Sequence, residues 1–214
     1  LPVADAQKRI GPILRALRRT YPDARCALRH ENALQLLVAT ILSAQCTDVR
    51  VNLVTPSLFA KYRTAADFAG ADSAAFESEI RSTGFFRAKT KRILEAARLL
   101  AERHGGEVPD TMEQLLELPG VARKTANVVL GSWFRKATGV VVDTHVMRVS
   151  RRLKLTKETT PEKIERDLME LVPKKEWIDF AHRLIWHGRR ICVARKPRCE
   201  ICPLGNWCPS KGKV

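Results

Sequence analysis

Four cysteines close together in the sequence, Cys192, Cys199, Cys202 and Cys208, are spaced C-x6-C-x2-C-x5-C. Clustered thiolates are soft metal ligands that suit zinc or iron. Structural zinc sites pair their ligands in short knuckles, and here only Cys199 and Cys202 form one. An iron–sulfur cubane has four separated corners and accommodates wider, uneven spacings, so a [4Fe–4S] cluster is the expected occupant. Pro197, Pro203 and Pro209 restrain the loop and reduce the entropy lost in presenting four thiolates to one centre. With no leader visible, disulfides are not expected.

Lys124 and Asp143 are the two side chains placed for reaction chemistry. Lys124 falls in the first turn of a small, apolar helix (Ala126, Val128, Val129, Leu130). The helix dipole repels a cation there, and Arg123 beside it adds to the repulsion, so the neutral, nucleophilic amine is favoured. Most exposed lysines are merely solvated, so this residue gains weight only from company. Asp143 follows three valines and precedes Thr144-His145, which reads first as a helix N-cap. A carboxylate held rigidly at a helix start can also stabilise positive charge developing on a sugar ring and shuttle a proton.

The elements that must hold these residues are helical. Ile10, Ile13, Leu14 and Leu17 make one apolar stripe, and Asn32–Cys46 reads as a core helix apolar on most sides. Asp48 and Asp72 are candidate caps of the next two helices. Arg87–His104 is a long amphipathic helix closed by Gly105-Gly106. Thr111–Leu118 and Arg123–Phe134 are joined by Pro119-Gly120-Val121-Ala122, a tight turn with Leu118 and Val121 as anchors. Such a turn directs backbone N–H groups at a phosphate without reading sequence. A brief extended run, Gly139–Val142, leads to a helix from Asp143; Thr160-Pro161 starts another, and Glu176–Cys192 is the last. No alternating stretch is long enough for a sheet, so the fold class is all-α.

Lys and Arg total 38 against 23 Asp and Glu, a net charge of +15. Residues 145–214 alone carry 17 basic and eight acidic side chains, which favours a polyanionic partner such as nucleic acid. Arg189, Arg190, Arg195, Lys196 and Arg198 surround the cysteines, where they can offset an anionic cluster and face phosphates. The apolar run from Leu36 to Leu42 is far too short to span a bilayer. Leu1–Asp5 shows no basic and apolar leader, so a soluble protein is expected.

The chain resembles the bacterial endonuclease III family, of the helix-hairpin-helix DNA glycosylase superfamily. The resemblance rests on Ser43-Ala44-Gln45 with Thr47-Asp48, Thr83-Gly84 before an aromatic pair, and Leu118-Pro119-Gly120-Val121 with Arg123-Lys124-Thr125-Ala126-Asn127. Val142-Asp143-Thr144-His145-Val146 and the cysteine spacing complete it. It implies two all-α domains with the active site in the cleft between them. One is a six-helix domain, residues 26–137, with the hairpin at about 111–134; the other is a cluster domain, 1–25 plus 138–214. It also implies a monomeric, cytoplasmic DNA N-glycosylase and AP lyase of base excision repair that removes oxidised pyrimidines of the thymine glycol type. Lys124 is then the Schiff-base nucleophile and Asp143 the essential carboxylate. The four cysteines hold one [4Fe–4S] cluster, and the partner is double-stranded DNA carrying a damaged base or abasic site. Gln45 and Phe85 fill the gap left by the extruded base, unless they are ordinary end-of-helix and core residues. Gly120, Val121, Ala122, Arg123, His145, Arg195 and Lys196 are the further DNA contacts.

Two positions depart from the family pattern. Ala122 stands where a second glycine is common, and is unstrained only if its φ is not positive. Phe85 stands where leucine is common, so either a bulkier wedge or a neighbouring residue enters the helix. Two rival readings remain: a monofunctional mismatch glycosylase, which would lack the nucleophilic lysine, and a non-catalytic iron–sulfur DNA-binding protein.

Overall fold

The structure is a computed structural model that describes residues 4–213. Leu1, Pro2 and Val3, on which part of the leader reading rests, lie outside the described residues, as does Val214. Every regular element among the described residues is helical. The chain divides into two compact units: residues 26–136, and the N-terminal segment up to 25 together with residues from 137 onward. The opening helix, α1 (Ala4–Thr20), belongs to the second of these.

The unit of residues 26–136 is built around α2 (Ala33–Leu42), in which every residue except Gln35 is buried. Asn32 caps it, its Oδ1 accepting from Gln35 N at 2.9 Å. The helix stops short of the expected Cys46 because Gln45 turns left-handed, with φ 53°. In α3 (Asp48–Lys61) the cap is Thr47 rather than Asp48: the Thr47 hydroxyl accepts from Arg50 N, and Asp48 is the first helical residue. α4 (Ala65–Ala69) is too short to register in the apolar periodicity, yet it carries a full capping box. Thr64 Oγ1 accepts from Asp67 N, and Asp67 Oδ2 accepts from Thr64 N. It buries Phe68 against Tyr62 and Phe76, with ring centroids 5.3 and 6.0 Å apart.

α5 (Ser73–Ile80), capped by Asp72, runs into a 3-10 turn at Arg81–Thr83 and then Gly84 with φ 71°. α6 (Phe86–Arg103) lies across α4 and α5, with Ile93, Leu94, Ala97 and Leu100 inward. Gly105 and Gly106, at φ 59° and 86°, terminate it, the Gly106 N–H returning to Leu100 O at 2.9 Å. α7 (Met112–Leu116) and α8 (Arg123–Ser132) form the hairpin, and α8 rests on α2.

In the other unit, Val140 and Val142 point into the core while Val141 is half-exposed. α9 (Thr144–Arg152), α10 (Pro161–Leu171) and α11 (Trp177–Arg190) follow. Ile13 and Leu17 of α1 join Val146, Val149, Leu168, Phe180 and Leu184 in one apolar core. Trp177 and Ile185 are half-buried at its margin. α9 and α11 pack closely because Gly188 has no side chain: a Cβ there would sit 2.9 Å from His145 Cβ. No described helix is long and apolar enough to cross a membrane.

Candidate active-site residues and a cysteine-lined cavity

The hairpin turn is pinned from below. Leu118 and Val121 are buried at 2% and 7% exposure, and Val121 N bonds to Leu118 O at 3.1 Å. Gly120 has φ 82°, and a Cβ there would meet the Cβ of Arg92 at 3.0 Å. Both facts require glycine. Ala122 is the N-cap of α8 at φ −93°, ψ 169°, so it is extended, neither helical nor strained. Ala126, Asn127, Val129 and Leu130 bury one face of α8, which turns Arg123 and Lys124 outward on its first turn.

Asp143 is the N-cap of α9. Its Oδ1 accepts from both His145 N and Val146 N at 2.8 Å, which fixes the carboxylate on a half-buried helix start. His145 follows it, with Nδ1 3.1 Å from Arg148 Nη2; burial holds its pKa below the ordinary histidine value. Lys124 lies in the unit of residues 26–136 and Asp143 in the other.

Gln45 and Phe85 share a backbone feature. Both are exposed, and both are left-handed non-glycine residues, at φ 53° and 48°. Phe85 is 64% exposed, so it is not a core residue. Its neighbour Phe86 takes the inward position instead, with Arg81 and Arg87 over its ring.

Cys192, Cys199, Cys202 and Cys208 line one cavity with Val149, Arg152, His187 and Ile191, and none of the four is in a disulfide. Arg152 reaches from α9 to donate to Cys192 Sγ (3.4 Å), Val193 O (2.7 Å) and Ala194 O (2.9 Å). One turn earlier, Arg148 donates to Cys192 O and Gly188 O. His187 Nε2 lies 3.6 Å from Cys202 Sγ, and its Nδ1 lies 3.0 Å from the Tyr21 hydroxyl. Burial lowers the His187 pKa to about 4, and burial pushes the Cys202 and Cys208 thiols up. Among the described residues, no three His, Cys, Asp or Glu side chains are grouped so as to hold a single metal ion. Arg195 and Lys196 are exposed on the loop, Lys196 at φ 52°.

Residues 38–174 match the HhH-GPD superfamily base excision DNA repair proteins, and residues 192–208 match the iron-sulfur binding domain of endonuclease III. Endonuclease III of Synechocystis sp. is 54% identical over 208 residues, 97% of this chain and 95% of its own length. The chain belongs to the endonuclease III family. Two solved endonuclease III structures, a non-covalent DNA complex and a trapped DNA covalent intermediate, each align with a TM-score of 0.91. Both are 42% identical to this chain and cover 96% of it and 96% of their own length.

Against this endonuclease III framework, sequence reasoning missed the groups behind the reactive side chains. Arg148 and Arg152 are one turn apart on α9, a spacing that marks two cations on one face. What they grip became visible only in three dimensions. His187, Gly188 and the buried Lys89 carried no local signal at all.

Proposed function

We propose that this base-excision DNA glycosylase and AP lyase removes oxidised pyrimidines such as thymine glycol, with Lys124 as nucleophile and Asp143 as the essential carboxylate. The observation that carries the assignment is the Lys124 amine, exposed on the first turn of a helix whose other face is buried. The neutral amine attacks C1′ as the bond to the damaged base breaks. Asp143, already fixed by two backbone N–H groups, stabilises positive charge on the sugar and moves a proton. Ring opening gives a Schiff base between Nζ and C1′. Loss of a C2′ proton then breaks the C3′–O bond and releases the 3′ strand by β-elimination. The trapped covalent intermediate of a relative supports a covalent route.

The damaged nucleotide leaves the stack before attack, at a cost of about a few kcal/mol that is lowest for a poorly stacked base. Gln45 and the exposed Phe85 ring occupy the gap, Gln45 hydrogen-bonding the orphaned partner base. The turn from Gly120 to Arg123 grips phosphates with its backbone; His145, Arg195 and Lys196 add contacts. The enzyme acts as a monomer in the bacterial cytoplasm.

The four cysteines hold a [4Fe–4S] cluster. The donor set fits: four soft sulfurs line one cavity. When bound, the cluster supplies four iron–thiolate bonds that close the 192–208 loop. Arg152 and Arg148, through the carbonyls of Val193 and Cys192 at the start of that loop, attach it to α9 and so to the helix that Asp143 caps.

Borohydride trapping on a thymine glycol duplex tests the reading. Wild-type protein gives a covalent adduct, and Lys124→Gln abolishes it together with strand cleavage. Absence of an adduct with wild-type protein would leave a monofunctional or non-catalytic protein.

A further inference from the structure

Lys89 is a lysine where a lysine is expensive. Its side chain is buried, with 2% of the residue exposed, although it sits on the first turn of α6. Burial disfavours the charged ammonium and pushes its pKa down. The ammonium donates to two carbonyl oxygens, Leu42 O at 2.7 Å and Thr83 O at 2.8 Å. Leu42 is the last residue of α2, and Thr83 is the last residue of the 3-10 turn. Carbonyls at helix ends lack an acceptor role inside their own helix and carry the negative end of its dipole, so a cation suits both.

These two carbonyls lie shortly before the two left-handed residues. Gln45 follows Leu42 by three positions, and Phe85 follows Thr83 by two. A left-handed non-glycine residue persists only where its surroundings over-determine it. Here the surroundings of both turns meet at one Nζ. Lys89 also holds the Phe85 turn through its main chain, its N–H bonding to Phe85 O at 3.0 Å. A methionine of similar shape would fill the space without burying a charge, so packing alone does not account for the ammonium.

We propose that Lys89 is a positioning residue that clamps the Gln45 and Phe85 turns to each other, presetting both side chains to enter the DNA gap together. The inference rests on the insertion role given to Gln45 and Phe85 above. It adds a residue that touches neither DNA nor the reacting atoms, and couples the two inserting positions to one buried cation.

The test uses cluster-loaded protein and a duplex with a tetrahydrofuran abasic site opposite 2-aminopurine, whose fluorescence rises when it is unstacked. Excision from a thymine glycol duplex is followed in parallel under single-turnover conditions. Lys89→Met is expected to lower the fluorescence rise and the single-turnover rate by about tenfold, the scale of one left-handed residue relaxing. Affinity for undamaged duplex stays close to wild type, and Lys89→Arg, which keeps a buried cation with several donors, restores part of the signal. In a Gln45→Ala/Phe85→Ala background, Lys89→Met has no further effect.

If Lys89→Met costs the same factor in that background, it acts elsewhere and the clamp is refuted. If Gln45→Ala/Phe85→Ala leaves fluorescence unchanged, the insertion role itself fails and the clamp falls with it. Should Lys89→Met not fold, the cycle is run with Lys89→Gln, which keeps an uncharged amide N–H₂ group as donor. A partial loss that vanishes in the double-alanine background supports the clamp, and an additive loss overturns it.

Discussion

Asp143 caps α9 with the same carboxylate that is proposed to act on the sugar, and substitution can separate the two roles. Its Oδ1 accepts two backbone bonds of 2.8 Å at the start of α9. An asparagine keeps an oxygen in that place and caps about as well, losing only the charge–dipole contribution of about 0.3–1 kcal/mol. An alanine removes the cap itself, a loss of about 1 kcal/mol that can reach about 2. For a chain of this size the two variants should therefore differ by about 2–4 °C in thermal midpoint per kcal/mol of capping energy. Catalysis should not distinguish them. Both remove the negative charge offered to the sugar, and loss of one preorganised electrostatic partner lowers the rate by about 10²–10³. The measurements are single-turnover excision with saturating enzyme and a thermal scan of the cluster-loaded protein. Asp143→Asn should be near wild type in stability and severely impaired in excision. Near-wild-type excision by Asp143→Asn would mean that Asp143 is only a cap. An Asn variant as unstable as Asp143→Ala would mean that the two backbone bonds are not what the residue contributes.

His145 gives a pH signature. Because burial lowers its folded pKa, the unfolded chain binds the extra proton, so the stability tied to this residue is complete above about 6.5 and lost as pH falls below it. His145→Gln should flatten the acid limb of urea unfolding, by at most about 1.4 kcal/mol per pH unit; an unchanged slope would count against a buried neutral imidazole. Gly188→Ala places a Cβ 2.9 Å from His145 Cβ and 3.2 Å from Val149 Cγ2. Overpacking there should cost about 1–3 kcal/mol in urea unfolding and slow excision more than it weakens DNA binding. Cys202→Ser should remove the visible absorbance of the cluster and weaken duplex binding, while the borohydride adduct formed per bound complex persists; tight binding without the cluster would refute its structural role. Ala122→Gly frees an extended residue at φ −93°, so it should destabilise by about 0.4–1 kcal/mol and leave DNA affinity unchanged. A marked gain in affinity would show that the Ala122 methyl obstructs the phosphate grip.

How far the sequence could be read depended on whether the deciding contact was local. Asn32, Asp72 and Asp143 were visible as helix starts because a cap and its N–H partners lie within three residues. The buried stripe of α6 was visible for the same reason, and so was the glycine stop that follows it. Thr64-x-x-Asp67 was an equally local signal for α4 that periodicity overlooks in so short a helix. The end of α2 was not legible, because nothing in a glutamine announces φ 53°. Around the cavity, the four cysteines that line it could be picked out from spacing. Their supports could not, since Arg152 reaches across 40 residues to Cys192 and His187 meets Tyr21 across 166. Ala122 shows a third limit: the sequence posed the right question about its φ, and only coordinates could answer it.

A common placement runs through the residues assigned to chemistry. Phe85 occupies the N-cap position of α6, Lys124 lies on the first turn of α8, and Asp143 caps α9. Each belongs to a helix whose remaining length is anchored by buried apolar side chains, so its start is held rigidly while the reactive group stays outside the core. A helix start also offers backbone N–H groups and a positive dipole end, both favourable next to phosphates. The same field works against a protonated lysine and in favour of a carboxylate. One geometric choice therefore serves two needs: gripping a polyanion and holding the Asp143 side chain in place. The needs conflict only at Lys89, which also lies on a first turn and yet must stay charged. There the two carbonyl ends of other elements, Leu42 and Thr83, supply the negative potential that the start of its own helix denies it.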